Sequence, residues 1–299
     1  MPSSFTSPGL VLASNKAIME AQRGIAFAKH FATDFSAELQ GIGKTVSVPV
    51  FSGSGTVFNE STNDYETTDG SIIPVNVTLD TIVKATFKIK QADLLEINKS
   101  STSRNCGIAG GRAIGRKIEE LIMALLTYSS RKAAASSFTV ATLGKAIATA
   151  QKNELDPATL VAILDPDTYG TMLDNNVSNA AIQGDDIASA LGRKYGIKAI
   201  LTSSKVSPYS AAETQKGVGF LVPDAAIAIA GRAIEPAVDG MYSEYGTTTD
   251  EESGLTVTSF VHGTPGKNAR YMNVAALLGA RLTLENSNGA PGYIQLVTA

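Results

Sequence analysis

The sequence predicts an α+β protein, and three parts of the chain carry this prediction. Residues 41–90 contain segments in which apolar and polar residues alternate with period two, as in strands that have one covered face. Residues 103–130 carry the longest uninterrupted helical pattern. Residues 154–240 mix short apolar strand segments with helix signals, and the final part of the chain returns to strands. The predicted order is therefore β-loop-β, a long helix, an α/β insert and a return to β.

The composition is that of a folded protein. With 299 residues, of which 43% are apolar and 18% charged, the chain can bury about 75% of its unfolded surface. The net charge of −3 and the absence of long Lys/Arg runs disfavour direct nucleic-acid binding. A single cysteine, Cys106, excludes an internal disulfide and suits a reducing compartment. Residues 1–13 do not form a signal peptide, and no apolar run approaches the ~20 residues that cross a bilayer. We expect one large or two modest domains, made as a soluble cytosolic protein.

The N-terminal segment is expected to be an arm followed by a helix. Residues 1–12 contain Pro2, Pro8 and several Ser and Thr residues, a composition typical of an extended segment. Ser14 is placed to cap a helix over residues 15–30, whose apolar stripe is weak. The simplest interpretation is a surface helix.

The clearest strand signal lies in residues 41–90. We predict strands over residues 46–50, 73–79 and 83–89, with Pro49 marking an edge strand. The connection between the first two is too long for a tight hairpin and predicts a projecting loop, which should rest on a neighbour because a lone two-stranded ribbon is marginally stable. Pairing between subunits and a solvated loop facing a solvated strand both remain open, and charge alone favours the second. The residues concerned are the loop acids Glu60, Asp64, Glu66 and Asp69 and the strand lysines Lys84, Lys88 and Lys90.

The long helix predicted over residues 103–130 has an apolar stripe and a glycine-rich first half. Arg116, Lys117, Glu119 and Glu120 fall off the stripe and are expected in solvent. Each glycine costs about 0.5–1 kcal/mol relative to alanine, so a reason for them is expected, either close approach of another backbone or easier bending. An ordinary core helix with a loosely ordered first turn is the alternative, which propensity alone favours. The stripe consists of Ile114, Ile118, Leu121, Ile122 and Leu125, and the glycines are Gly107, Gly110, Gly111 and Gly115.

The rest of the chain alternates between short elements. We predict a polar link over residues 131–137, and Asp165-Pro166 has the signature of a helix start. The short acidic stretch 250–252 and residues 263–268 are expected to be turns. The predicted helices cover residues 139–153, 166–173 and 185–191, and the predicted strands cover residues 160–164, 197–202, 217–222, 225–230, 255–262, 271–284 and 293–297.

No motif predicts a catalytic or cofactor site. The GKT of residues 43–45 lacks the glycine of a phosphate-binding loop, because Glu38 stands in its place, and a strand rather than a helix follows. The chain contains neither a nucleophile elbow nor a dinucleotide fingerprint. His30, His262 and Cys106 have no zinc-site spacing. We therefore expect a protein that is not an enzyme and that has no metal or cofactor.

The acidic pairs are explained more simply by local structure than by chemistry. Asp165 with Asp167 and Asp185 with Asp186 stand where helices are predicted to begin, where acids satisfy free amides and the helix dipole.

The order and spacing of these elements resemble the major capsid proteins of tailed double-stranded DNA phages, which share the Hong Kong 97 capsid fold. The resemblance covers nearly the whole chain. The segments that carry it are LVAILDPDTYGTML and YGIKAILTSSKVSP for the axial domain, and LTVTSFVHGT and NVAALLGARL for the return to the peripheral domain. It implies an N-terminal arm and helix over residues 1–40, an extended E-loop over 41–90, a peripheral domain with the spine helix over 91–153, an α/β axial domain over 154–240, and a return to the peripheral domain over 241–299.

The resemblance implies a structural virion protein, made in the host cytoplasm, that assembles into hexamers and pentamers of an icosahedral head. Double-stranded DNA would be enclosed but not specifically bound, and no membrane would be involved. The acidic loop and strand lysines would contact neighbouring subunits, and the helix glycines would accommodate bending as the shell expands. Because the arm begins almost at Met1, either a separate scaffolding protein exists or the chain is processed, and a portal and a decoration protein are further implied partners.

Two other classes of function remain open from the sequence. An encapsulin-type nanocompartment shell would have the same fold but hold enzyme cargo. A hydrolase or transferase is disfavoured because no nucleophile, base and orienting group converge in the sequence. Fold analogy rather than a site carries the functional expectation.

Overall fold

The computed structural model describes residues 8–52, 71–90, 99–126, 132–135, 140–153, 155–177, 195–206, 216–234, 244–263, 269–283 and 292–298. The helices are α1 (Pro8–Ala28), α2 (Lys99–Leu125), α3 (Val140–Lys152) and α4 (Pro166–Val177), with 3-10 turns at Pro157–Thr159 and Asp224–Ala226. The strands are β1 (Ala32–Gln40), β2 (Thr45–Ser52), β3 (Ser71–Thr78), β4 (Thr81–Lys90), β5 (Lys132–Ala135), β6 (Leu160–Leu164), β7 (Ala199–Thr202), β8 (Lys216–Pro223), β9 (Ile227–Ile234), β10 (Glu244–Thr249), β11 (Thr256–Gly263), β12 (Ala269–Leu282) and β13 (Ile294–Thr298).

These strands form two mixed sheets and one separate hairpin. The first sheet has the order β1-β9-β12-β11-β10, with β4 also paired to β12, and only its β1–β9 pairing is parallel. The second sheet has the order β5-β13-β8-β6-β7, in which the β13–β5 and β6–β7 pairings are parallel. Strands β2 and β3 pair only with each other among the described residues. Mixed sheets with separate helices confirm the predicted α+β class.

The first sheet, α1 and α2 form one unit, called the first lobe below. Ile114, Ile118 and Ile122 of α2 are buried in its core, as the helical stripe predicted. The helix begins four residues before the predicted start and ends at Leu125 rather than Ser130. Glu119 contradicts the prediction that the charged residues of this helix lie in solvent, because its side chain is buried.

The second sheet, α3 and α4 form the second lobe. The alternating residues Val161 and Ile163 of β6 belong to the core that contains α1 and α2. The intervening residues Leu160, Ala162 and Leu164 pack with α3 and α4 instead. A strand covered on both faces is continuously apolar, so β6 spans the predicted residues.

The N-terminal segment is more integrated than expected. α1 begins at Pro8, so residues 8–12 are helical rather than an extended arm. Ala13, Ala17 and Ala21 of this helix are fully buried against α2, so α1 is a core helix and not a surface helix. The following residues form β1, which pairs in parallel with β9. The sequence of β1 does not alternate cleanly, and its register shifts between Phe35 and Leu39, which explains why its pattern predicted no strand.

Two further strands arise where no strand was predicted. Residues 132–135, expected to be a polar link, pair with β13, and residues 244–249 form the β10 edge of the first sheet. In both cases backbone hydrogen bonds to a neighbouring strand, β13 for β5 and β11 for β10, stabilise a segment whose own sequence lacks a strand-like alternation of apolar and polar residues.

Sheet membership also differs from the expected division of the chain. β9 falls in the segment expected to be axial, but it lies in the first sheet with β12. β13 falls in the expected return to the peripheral domain, but it lies in the second sheet with β8. The helix predicted over residues 185–191 and the turn over 264–268 lie outside the described residues. Among the described residues, no helix has the length and apolar character that spanning a membrane requires.

Candidate assembly surfaces

The β2–β3 hairpin rests on its own chain rather than requiring a neighbour. Val48 and Val77 of the hairpin are fully buried against β9 and β12, where they meet Ala230 and Leu277. A Cβ at Gly279 would collide with the backbone of β3, which shows how closely the hairpin lies on β12. The described part of the hairpin is therefore supported within its own chain, and pairing of the loop with a neighbouring subunit stays a prediction. The loop acids Glu60, Asp64, Glu66 and Asp69 lie outside the described residues.

Two of the β4 lysines, Lys84 and Lys88, are exposed on the first sheet, where Lys84 Nζ lies 5.5 Å from the centre of the Phe260 ring. The Lys84 and Lys88 side chains are exposed, whereas Val83, which precedes Lys84 and points to the other face of the strand, is buried. Within the described part of the chain β4 pairs only with β12, so its other edge faces away from the sheet. Lys90 pairs with Ala269 through the backbone, at the end of the strand. Lysines on an edge strand both discourage indiscriminate strand pairing and offer cations to a partner.

A hydrogen-bonded cluster lies beside these lysines. Thr86 Oγ1 donates to Asn273 Oδ1 at 2.8 Å, and this orients the Asn273 amide so that Nδ2 donates to His262 Nδ1 at 2.9 Å. The His262 ring stacks on Tyr271 with centroids 5.1 Å apart and planes 14° apart. Burial, and after it the charge of Lys84, lowers the pKa of His262. The hydrogen bond accepted by His262 Nδ1 and the lowered pKa both favour the neutral form of the ring.

The sequence does not predict this cluster, because it shows His262 only as the last residue of the predicted strand over residues 255–262. Only the register joins it to Tyr271 and places the β4 residues beside them. Strand alternation could have put each side chain on a face, but it cannot say which strands are neighbours.

The residues whose spacing was considered for metal binding are His30, His262 and Cys106. Within the described part of the chain, no three His, Cys, Asp or Glu residues are grouped so as to hold a metal. Burial raises the pKa of the Cys106 thiol to about 11, which leaves it unreactive. Burial, followed by the charge of Lys198, lowers the pKa of His30.

Two of the described acidic residues, Asp156 and Asp250, make local contacts in turns. Asp156 caps the 3-10 turn by accepting a hydrogen bond from the Ala158 amide, 3.0 Å away. Asp250 accepts a bond of 2.9 Å from the Ser253 amide in the turn between β10 and β11. Asp165 and Asp167 stand at the start of α4, as predicted, and Asp185 and Asp186 lie outside the described residues.

The glycines of α2 allow two backbones to approach. A Cβ at Gly107 or Gly111 would overlap a carbonyl oxygen of α1, and Gly115 faces Gly24 of α1. Gly110 faces the sheet, where a Cβ would lie 2.7 Å from the Val274 side chain. Packing therefore supplies a reason for all four glycines, whereas bending of the helix stays a prediction.

Comparison with known proteins relates the whole architecture to viral shells. No protein-family model and no curated protein sequence matches the chain. Among solved structures, a virus-like particle from Pyrococcus furiosus is similar with a TM-score of 0.54 and 13% identity, over 97% of this chain and 100% of the other. The capsid of Ralstonia phage GP4 is similar with a TM-score of 0.52 and 12% identity, over 90% of this chain and 87% of the other. At this identity the likeness concerns the fold, and the chain has the Hong Kong 97 capsid fold.

Proposed function

We propose that this chain is a major capsid protein, a structural protein that assembles with copies of itself into the icosahedral shell of a phage head. The observation that supports this is the extent of the shared fold, which covers 97% of this chain and the whole of the virus-like particle subunit. Almost the whole chain therefore aligns with a fold that forms shells in that particle and in the GP4 capsid. A virion component that is not an enzyme is the function that best fits this match.

In this proposal the shell is built from hexamers and pentamers and encloses double-stranded DNA without binding it specifically. The phage capsid among the similar structures favours the virion over the enzyme-holding nanocompartment. A separate scaffolding protein, a portal and a decoration protein remain proposed partners.

The primary test is sedimentation velocity with negative-stain electron microscopy of the purified chain. We expect closed shells, rings of five or six subunits, or tubes. A monodisperse monomer or dimer across a wide range of protein concentrations would contradict unaided self-assembly and would direct attention to activity screens.

The β4 surface is the proposed contact for the acidic loop of a neighbouring subunit. The support is that Lys84 and Lys88 are exposed on the same strand, so two cations point to one side. Lys84→Glu with Lys88→Glu should prevent or alter assembly, because the acidic loop would then meet like charge.

A control with the same change in net charge separates this contact from general repulsion. Lys145 and Lys152 are exposed on α3 in the second lobe, and Lys145→Glu with Lys152→Glu should leave assembly largely intact. Normal shells from the β4 variant would remove the proposed contact. Equal loss in both variants would assign the effect to net charge alone.

A further inference from the structure

The C-terminal end of β7 is joined to the first lobe by a buried hydrogen bond. Ser203 Oγ donates to Glu119 Oε1 of α2 at 2.6 Å and accepts from the Lys205 amide at 3.1 Å. Ser203 is fully buried and Glu119 is only 8% exposed. A carboxylate in such a position is retained only with good partners, because burying it without them is costly. The bond therefore connects the long helix directly to the edge strand of the second sheet.

A weaker ionic contact lies just outside this bond. Lys205 Nζ is 3.3 Å from Glu120 Oε1, and Lys117 Nζ is 3.7 Å from the other oxygen of the same carboxylate. These side chains are 39–52% exposed, so salt screens their attraction and it contributes little. Lys205 and Glu120 line an open groove of about 660 Å³ between α1, α2 and the residues that follow β7. The buried bond is therefore the stronger polar contact at this end, where Val206 also packs in the core of the first lobe.

The N-terminal end of β7 is held by Lys198. Its Nζ is 2.7 Å from Asp224 Oδ2 and donates to the His30 carbonyl oxygen at 3.3 Å. Asp224 begins the 3-10 turn through which the chain passes from β8 in the second sheet to β9 in the first. The same turn is tied to the end of β12, because the Thr283 amide donates to the Ala226 carbonyl at 2.8 Å. Lys198 and Asp224 are 37% and 31% exposed, so salt also screens this pair and it is weaker than the buried Ser203–Glu119 bond. Lys198 nevertheless contacts a crossover that is itself anchored in the first lobe.

The two attachments lie five residues apart along an extended strand, which separates them by about 16 Å. One face of the second sheet already packs on the first lobe, because Val161, Ile163 and Phe220 lie in the core that contains α1 and α2. Two separated attachments on β7 add a fixed line at the edge of that packed face. Between them Ala199 and Leu201 pack against the core of the first lobe, and Ile200 faces the core of the second. We propose that β7 is a two-ended clamp that sets the angle between the lobes, with Glu119 and Lys198 as its positioning residues.

The consequence for shells rests on the proposed function. Subunits with a fixed angle between their lobes form shells of one curvature, whereas subunits with a variable angle form shells of mixed curvature. The angle itself is a property of the single chain, so it is measured separately from assembly.

The test is a distance distribution between two spin labels, one on each lobe. Thr247 on β10 and Gln151 on α3 are exposed and suit cysteine substitution. The native Cys106 is buried, with a pKa raised to about 11, and stays unlabelled. Labelled chains are diluted with unlabelled chain where the protein assembles. We expect one narrow distance distribution in the parent protein.

Removing either attachment should broaden this distribution. We expect Glu119→Ala, Ser203→Ala and Lys198→Gln each to increase its width at least twofold. Glu119→Gln should keep it narrow, because the amide oxygen still accepts from Ser203. The matched control is Ser14→Ala, which removes a buried hydroxyl contact, 2.6 Å from Ser259 Oγ, within the first lobe. This control should lower stability without broadening the distribution.

Each result bears on the clamp or on the proposed function. An unchanged width in Glu119→Ala combined with Lys198→Gln would overturn the clamp, as would equal broadening in the Ser14→Ala control. If Glu119→Ala does not fold, Lys198→Gln remains available, because Lys198 is partly exposed and its replacement disturbs the core less. The width of the distance distribution in Lys198→Gln then tests the clamp. Broadening without any shells in the parent protein would support the clamp and contradict the capsid proposal. Uniform shells from the parent protein, with an unchanged distance distribution in the variants, would support the capsid proposal and contradict the clamp.

Discussion

Replacing Gly111 of α2 by alanine should destabilise the protein, although alanine is the better helix former. An added Cβ would overlap the backbone of Ala17, so α1 would have to move away. Overpacking a close contact costs about 1–3 kcal/mol, and a rigid backbone partner favours the upper end. The gain in helix propensity is about 1 kcal/mol. We therefore expect the free energy of unfolding to fall by about 2 kcal/mol.

Gly170 of α4 supplies the matched control. It is also within a helix, but a Cβ there would meet nothing within 4 Å. Gly170→Ala should raise the free energy of unfolding by about 0.5–1 kcal/mol, because only the unfolded chain loses freedom.

Thermal unfolding of both variants in the same assembly state, followed by far-ultraviolet circular dichroism, measures the contrast. For a chain of this size about 2 °C corresponds to 1 kcal/mol, so we expect Tm to fall by about 4 °C in Gly111→Ala and to rise by about 1–2 °C in Gly170→Ala. A rise of similar size in both variants would refute the close-approach explanation of the glycines.

Two further predictions concern charge. The pKa values of His30 and His262 are lowered in the folded state, chiefly by burial, so the unfolded chain binds more protons as pH falls below about 6.5. The histidine contribution to the free energy of unfolding should be constant well above that pH and should fall below it. Unfolding experiments on His262→Gln should show a smaller fall at low pH. An unchanged pH profile in that variant would contradict the contribution of His262. Asp34→Ala should lower the free energy of unfolding by about 3 kcal/mol. Asp34 Oδ2 is 2.7 Å from Arg232 Nη2, and the Arg232 side chain is only 5% exposed. Without Asp34 the buried guanidinium would stay charged and lose this partner. In denaturant titrations, adding Arg232→Met to Asp34→Ala should recover part of the loss, and no recovery would show that the pair is not the cause.

Local periodicity predicted most of the elements that the structure contains. The alternating segments became β2, β3 and β4, and the apolar run at residues 160–164 became β6 without a change of bounds. The helix stripe of α2 points into the core because side chains four residues apart share a face. These predictions succeeded because each depends on residues that are neighbours in the chain.

The predictions failed where a distant segment decides the environment of a residue. Glu119 lies off the apolar stripe, but it is buried because Ser203, 84 positions away, comes to meet it. β1 has charged residues and an irregular register, but β9 supplies the hydrogen bonds that make it a strand. The acid–lysine contact proposed between subunits stays a prediction, because it depends on other copies of the chain.

The sequence by itself determined the α+β class, the long helix, the order of the strand segments and the absence of a recognisable catalytic motif. Only the tertiary structure decided which strands share a sheet, that the β2–β3 hairpin packs on its own chain, and that β7 connects the two lobes. The physical reason is that side-chain periodicity specifies which face of an element is apolar, but not which other apolar face covers it. That choice depends on packing between residues far apart in the chain, and it creates the surfaces from which a shell would be built.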